Sequence, residues 1–202
     1  MSKTQIVTGG IADDAVSEEH LDATAITGST ELAATPADTD EILISDAGTL
    51  KRIDFSLIKS SNAPSFYAYL ASDQTIASDT WTKMLIATES WDTDSAFASN
   101  KFTVPSGEAG KYCIGYSVWS KEVLDNTERL FAKLYKNGSA AQETFSQDRS
   151  PEDNVDLFIN FTGTLDLSAG DYLELYARHD DANNQDMDAQ VTRFWAFKLT
   201  GV

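Results

Sequence analysis

The chain has 202 residues, 42% of them hydrophobic, and a formal net charge of −17. The hydrophobic share suffices for one sizeable core, while the charge divides as −7 over residues 1–62 and −10 over the rest. An acidic surface of this kind repels phosphate backbones and anionic bilayers, so nucleic acid is discounted as a partner. Membrane insertion is discounted too, since no apolar run approaches the length of a span and none follows Met1 as a leader would require.

Aromatic placement divides the chain. Of 21 Phe, Trp and Tyr residues, only Phe55 lies before residue 63. Aromatic side chains carry much of a core's buried area, so residues 1–62 are expected to lack a core and residues 63–202 to hold one. In the first part Ile6, Ile11, Val16, Leu21 and Ile26 recur about every five residues, a spacing that suits neither helix nor strand. Ser17, followed by Glu18 and Glu19, offers a helix start, but only for about two turns, too few to stand alone. Glu41 to Ser45 reads as a strand, Asp46-Ala47-Gly48 as a turn and Thr49 to Ile53 as the returning strand, giving a hairpin near 41–53. A lone hairpin is marginal in water. Apolar pulses without an aromatic core make sense if several copies of the chain bury them together, which predicts a short homo-oligomeric stalk.

From residue 63 the texture becomes a series of short strands. They fall at Ser65–Leu70, Thr80–Ile86, Lys101–Val104, Lys111–Trp119, Arg129–Tyr135, Val155–Phe161, Tyr172–Ala177 and Val191–Phe197. Several alternate with period 2, as in Leu157, Ile159 and Phe161, and Asn137-Gly138 is a strong hairpin turn. The pattern predicts an all-β chain whose head is an antiparallel jelly-roll sandwich. Aromatic and apolar residues fall on both faces of some strands, with Tyr112, Tyr116 and Trp119 beside Cys113 and Ile114, and the surplus suits packing between subunits. Cys113, the only cysteine, is expected to be a buried small hydrophobe.

Catalytic signals are missing. His20 and His179 have no Cys or His at metal-ligand spacing and no nucleophile context, and Gly9-Gly10 is not a nucleotide loop. No catalytic or cofactor-binding residue is assigned, and the chain is expected not to be an enzyme. Two acidic loops remain, at 147–154 and 179–188. Crowded oxygen ligands suit calcium, and Asp180, Asp181, Asp186 and Asp188 are the candidate ligands. Trp91, Arg149 and Asp153, together with the 179–188 run, are candidate contact residues for a host surface glycan or protein, on the ground of their loop positions.

At Gly110-Lys111-Tyr112-Cys113-Ile114-Gly115-Tyr116, preceded by Phe102, the head resembles the globular complement-1q and tumour-necrosis-factor superfamily. The opening Phe66-Tyr67-Ala68-Tyr69-Leu70 and the closing Phe194-Trp195-Ala196-Phe197 fit the same pattern, so the likeness covers about residues 63–202. It implies a jelly roll of about ten strands that assembles as a homotrimer, and several heads of that family bind calcium near the trimer apex. The N-terminal part is similar to bacteriophage fibre proteins at Ile11 to Val16 with His20-Leu21, and at Thr35 to Ile53. This likeness implies a virion structural protein, a short trimeric tail or neck fibre projecting a host-contacting head and joined to other virion proteins through residues 1–62. A capsid decoration or head-fibre protein that stabilises the particle, and a secreted carbohydrate-binding adhesin, are the alternatives.

Overall fold

The computed structural model describes residues 27–58, 62–124, 127–152 and 155–200. The chain divides into two units, Met1–Lys59 and Ser60–Val202. The segment similar to phage fibre proteins at Ile11 to Leu21, and the helix start at Ser17, lie outside the described residues.

In the first unit β1 (Glu41–Asp46) and β2 (Thr49–Asp54) form an antiparallel hairpin in continuous register from Glu41↔Asp54 to Asp46↔Thr49. Ala47 and Gly48 both take positive φ, 51° and 83°, the pattern of a primed two-residue turn that matches the twist of its strands. The turn is flanked by a Lys51–Asp46 ion pair, and Arg52 meets Glu41 at 2.9 Å. Apolar residues lie on both faces: Ile42, Ile44 and Ile53 on one, Leu43 and Leu50 on the other. Leu43 and Leu50 are 70% and 71% exposed, so the hairpin has no core of its own.

The second unit carries β3 (Ser65–Leu70), β4 (Gln74–Ile76), β5 (Thr82–Lys83), β6 (Ile86–Asp92), β7 (Phe97–Ala98), β8 (Lys101–Thr103) and β9 (Gly110–Leu124). It continues with β10 (Arg129–Lys136), β11 (Ser139–Ala140), β12 (Ser146–Arg149), β13 (Val155–Leu167), β14 (Tyr172–His179), β15 (Gln185–Met187) and β16 (Arg193–Lys198). All pairings are antiparallel and fall into two seven-stranded sheets. Sheet I runs β11-β10-β14-β8-β7, with β12 on β10 and β5 on β14; sheet II runs β4-β15-β9-β16-β3-β6, with β13 on β9. These are the two layers of an antiparallel jelly roll. Among the described residues of this unit there are fourteen strand segments, and six of them are only two or three residues long, where the chain touches a neighbour briefly before turning. That leaves eight longer strands beside the about ten anticipated.

Alternation decides what is buried. Phe66, Ala68 and Leu70 of β3, Tyr112, Ile114, Tyr116 and Val118 of β9, and Leu173, Leu175 and Ala177 of β14 all enter one core. Its centre is aromatic: the Phe66 ring stacks on Phe97 at 4.5 Å and on Phe102 at 5.0 Å, and meets the Phe194 ring edge-on at 4.9 Å. The two buried phenols find polar partners at the core's margin. Tyr112 donates to the Glu108 carbonyl at 2.6 Å, and the Tyr116 hydroxyl lies 2.9 Å from Ala132 O and 2.6 Å from Thr144 O. Burial pushes the Tyr112 hydroxyl up to about 12 and raises that of Tyr116 further. Tyr112 and Tyr116 thus belong to the core and not to the surplus aromatic surface anticipated for them.

Candidate functional site

With the inner residues of β9, β16 and β3 committed to the core, their alternates must face outward. Five strands of sheet II place Trp91, Tyr67, Trp195, Gly115 and Thr162 in one cross-strand row. Neighbouring rows add Phe197 beside Cys113 and Trp119 opposite Phe158. The rings organise one another: Tyr67 stacks on Trp91 at 5.0 Å, Trp195 on Phe197 at 6.1 Å, and Trp119 meets Phe158 edge-on at 6.0 Å. A cavity of about 380 Å³ lies against Tyr67, Trp91, Trp195 and Phe197. Trp91 and Phe158 remain 52% and 44% exposed. Cys113 belongs to this outer face and is half-buried, not enclosed as anticipated, because the strand parity that buries Tyr112 and Ile114 turns its side chain away from the core.

Gly115 explains how a large indole can lie flat on this surface. A Cβ there would fall 2.1 Å from the Trp195 ring, so the bare backbone is what admits it. The Gly-x-Tyr-x-apolar-Gly-Tyr segment therefore has a division of labour. Its tyrosines build the core, and its second glycine shapes the outer face.

The outer face of sheet I has a different character. Cross-strand pairing sets Arg149 opposite Arg129, then Gln147, Phe131 and Arg178 in the next row, then Lys133 and Tyr176. Arg149 lines an open cleft of about 720 Å³ with Arg129, Gln147, Asp148 and Asp180. Its Nε donates to Thr127 O at 3.1 Å. Trp91 and Arg149, both anticipated as contact residues, therefore lie on opposite sheets, and Asp153 lies outside the described residues.

The four carboxylates anticipated as calcium ligands do not gather. Asp180 receives the Arg129 guanidinium at 2.8 Å, and buried Asp181 accepts from Asn183 N at 2.6 Å and Gln185 Nε2 at 2.7 Å. Asp186 bonds the Thr75 hydroxyl across β15 and β4, and Asp188 accepts from Gln190 N at 2.7 Å. Each serves its own turn or ion pair, and among the described residues no group of three or more His, Cys, Asp or Glu is placed to hold a metal ion. His179 is buried as well, with Nε2 donating to Ile76 O at 3.1 Å.

Comparison with solved structures finds the same jelly-roll fold in two proteins. The structure is similar to the globular domain of the zebrafish complement 1qA protein, with a TM-score of 0.50 and 15% identity, covering 67% of this chain and 97% of that one. It is likewise similar to the Eiger tumour necrosis factor of S. frugiperda, with a TM-score of 0.51 and 13% identity, covering 68% of this chain and 93% of that one. No protein-family model matches the chain, and no curated protein matches it.

Proposed function

We propose that the chain is a non-enzymatic structural and adhesion protein of a bacteriophage particle, assembling as a homotrimer through the outer face of sheet II. The observation that carries the assembly is the row of partly exposed rings at Trp91, Tyr67 and Trp195, extended by Phe197, Trp119 and Phe158. A contiguous aromatic surface of this kind marks an interaction site, and rings that already stack in order lose little freedom on burial. The hairpin supports the same reading, since its exposed Leu43 and Leu50 need a second chain to cover them. Residues 1–62 would join other virion proteins, and the likeness of residues 35–53 to phage fibre segments supports the virion setting. The head would contact a host surface, and three copies raise the effective concentration of a weak contact.

Two measurements test this. Analytical ultracentrifugation should return three times the 22.1 kDa chain mass, and a 22.1 kDa particle would remove the assembly. Cryo-microscopy of purified particles should find the chain on the tail, neck or capsid. Density on the capsid lattice alone would turn the reading to decoration, which the short hairpin of the first unit also suits. Absence from particles would favour a secreted adhesin.

A further inference from the structure

The outer face of sheet I is chemically unlike the rest of this acidic chain. Lys133 is only 7% exposed, and its Nζ lies 4.1 Å from the centre of the Trp81 ring and 5.5 Å from that of Tyr135. No carboxylate pairs with it among the described residues. Next to it Arg178 stacks on Phe131 at 4.8 Å, and Arg129 approaches the same ring at 5.0 Å. Arg178 Nε is buried with no hydrogen-bond partner. Asp79 and Asp180 balance Arg178 and Arg129, each at 2.8 Å, but Arg149 is exposed and pairs with no described carboxylate. Like charges directly opposite across a ladder destabilise it, as do buried donors without acceptors. Arg129↔Arg149 and Arg178 Nε show both features on one face. An anion from outside the chain relieves the first at exposed Arg149.

We propose that this face binds an acidic saccharide, a sugar polymer bearing carboxylate or sulfate groups at intervals. Lys133, Arg149 and Arg178 take the oxyanions, and half-buried Trp81 and exposed Phe145 take the apolar faces of the sugar rings. Arg149 and Lys133 stand in rows four residues apart along sheet I, about 13 Å at the usual strand rise, which spans two to three sugar units. Charge complementarity selects the class. In a chain of −17, Arg129, Arg178 and Lys83 of this face are paired with Asp180, Asp79 and Glu174, which leaves Lys133 and Arg149 as two spaced cations without a described carboxylate. That arrangement suits spaced charges on a polyol better than the unbroken charge of a nucleic acid. Burial of the Lys133 ammonium beside Arg178 lowers its affinity for a proton, as expected of a cation awaiting a counter-ion. The inference rests on the host-contact reading above and supplies its ligand class.

The test is titration calorimetry of the full chain at low salt against four probes: sodium alginate, dextran sulfate, neutral dextran and single-stranded DNA. Alginate or dextran sulfate should bind, and which of them binds more tightly tells carboxylate from sulfate. Dextran and DNA should bind at least tenfold more weakly. Lys133→Met, which keeps the stem and removes the charge, should weaken binding at least fivefold. Arg149→Gln, at an exposed position that the fold does not need, should do the same. Arg193→Gln, on the opposite sheet, should leave binding unchanged. Equal affinity for neutral dextran, preference for DNA, no binding to any probe, or full affinity in Arg149→Gln would each overturn the proposal. Sedimentation of the same samples separates it from the assembly reading. A monomer that binds alginate removes only the trimer, and a trimer that binds nothing removes only the saccharide site.

Discussion

At Gly115 a single missing methyl group decides the shape of a surface. Alanine there must displace the Trp195 ring, whose atoms lie 2.1 to 2.8 Å from the added carbon. Gly115→Ala should therefore lower thermal stability by about 1–3 kcal/mol, the usual cost of overpacking, and the shift is read by calorimetric melting. Asp171 shows a second single-residue effect. Lys136, then Asn137 and the Ser168 amide, hold its carboxyl down at about 2. A carboxyl whose pKa is depressed on folding stabilises the native state above about pH 4 and loses that contribution as pH falls towards 2. Asp171→Asn should flatten the acid limb of the stability profile over that window and leave its slope near pH 7 unchanged. Denaturant titrations at a series of pH values would show whether it does.

At the scale of elements, legibility in the sequence followed periodicity. Ser65–Leu70 is a strand as anticipated, because a strict alternation of Phe66, Ala68 and Leu70 against Tyr67 and Tyr69 has only one sensible parity. Asn137 and Gly138 both take positive φ, and their turn returns Lys136 to Ser139. β6 was not legible as a separate strand. Its Ala87-Thr88-Glu89-Ser90 stretch is polar, and pairing with β3 holds it in place, not burial. The acidic run at 179–188 is spread out for a related reason. Ligand-type residues close in sequence were dispersed by the pairing of β15 with β9 and β4, which sends Asp186 towards Thr75. The hairpin of the first unit offers a test at this scale. Ala47 occupies a left-handed position, φ 51°, that Asn tolerates better, so Ala47→Asn should slow amide exchange across Glu41–Asp54 several-fold. Unchanged protection would mean the turn does not limit hairpin opening.

For the whole molecule the two sheets present unlike outer faces, one aromatic and one cationic. Because Trp91 and Phe158 are about half exposed in the single chain, replacing both by Asp should leave the head's circular dichroism intact. The same double variant should convert the proposed trimer to single 22.1 kDa chains in sedimentation. A variant that remains a trimer would place the interface elsewhere. The sequence indicated surplus aromatics but counted Tyr112 and Tyr116 among them, since only the strand parity of the fold assigns Tyr112 inward and Cys113 outward.

The four tryptophans are divided between those faces: Trp91, Trp119 and Trp195 on sheet II and Trp81 beside Lys133 on sheet I. The molecule thus carries its own optical labels. Self-association should dry the first three indoles and shift their emission to the blue, while a ligand on the other face should perturb Trp81 alone. With single-tryptophan variants, one fluorimeter could follow the joining of subunits and the capture of a ligand as two separate signals from the same sample.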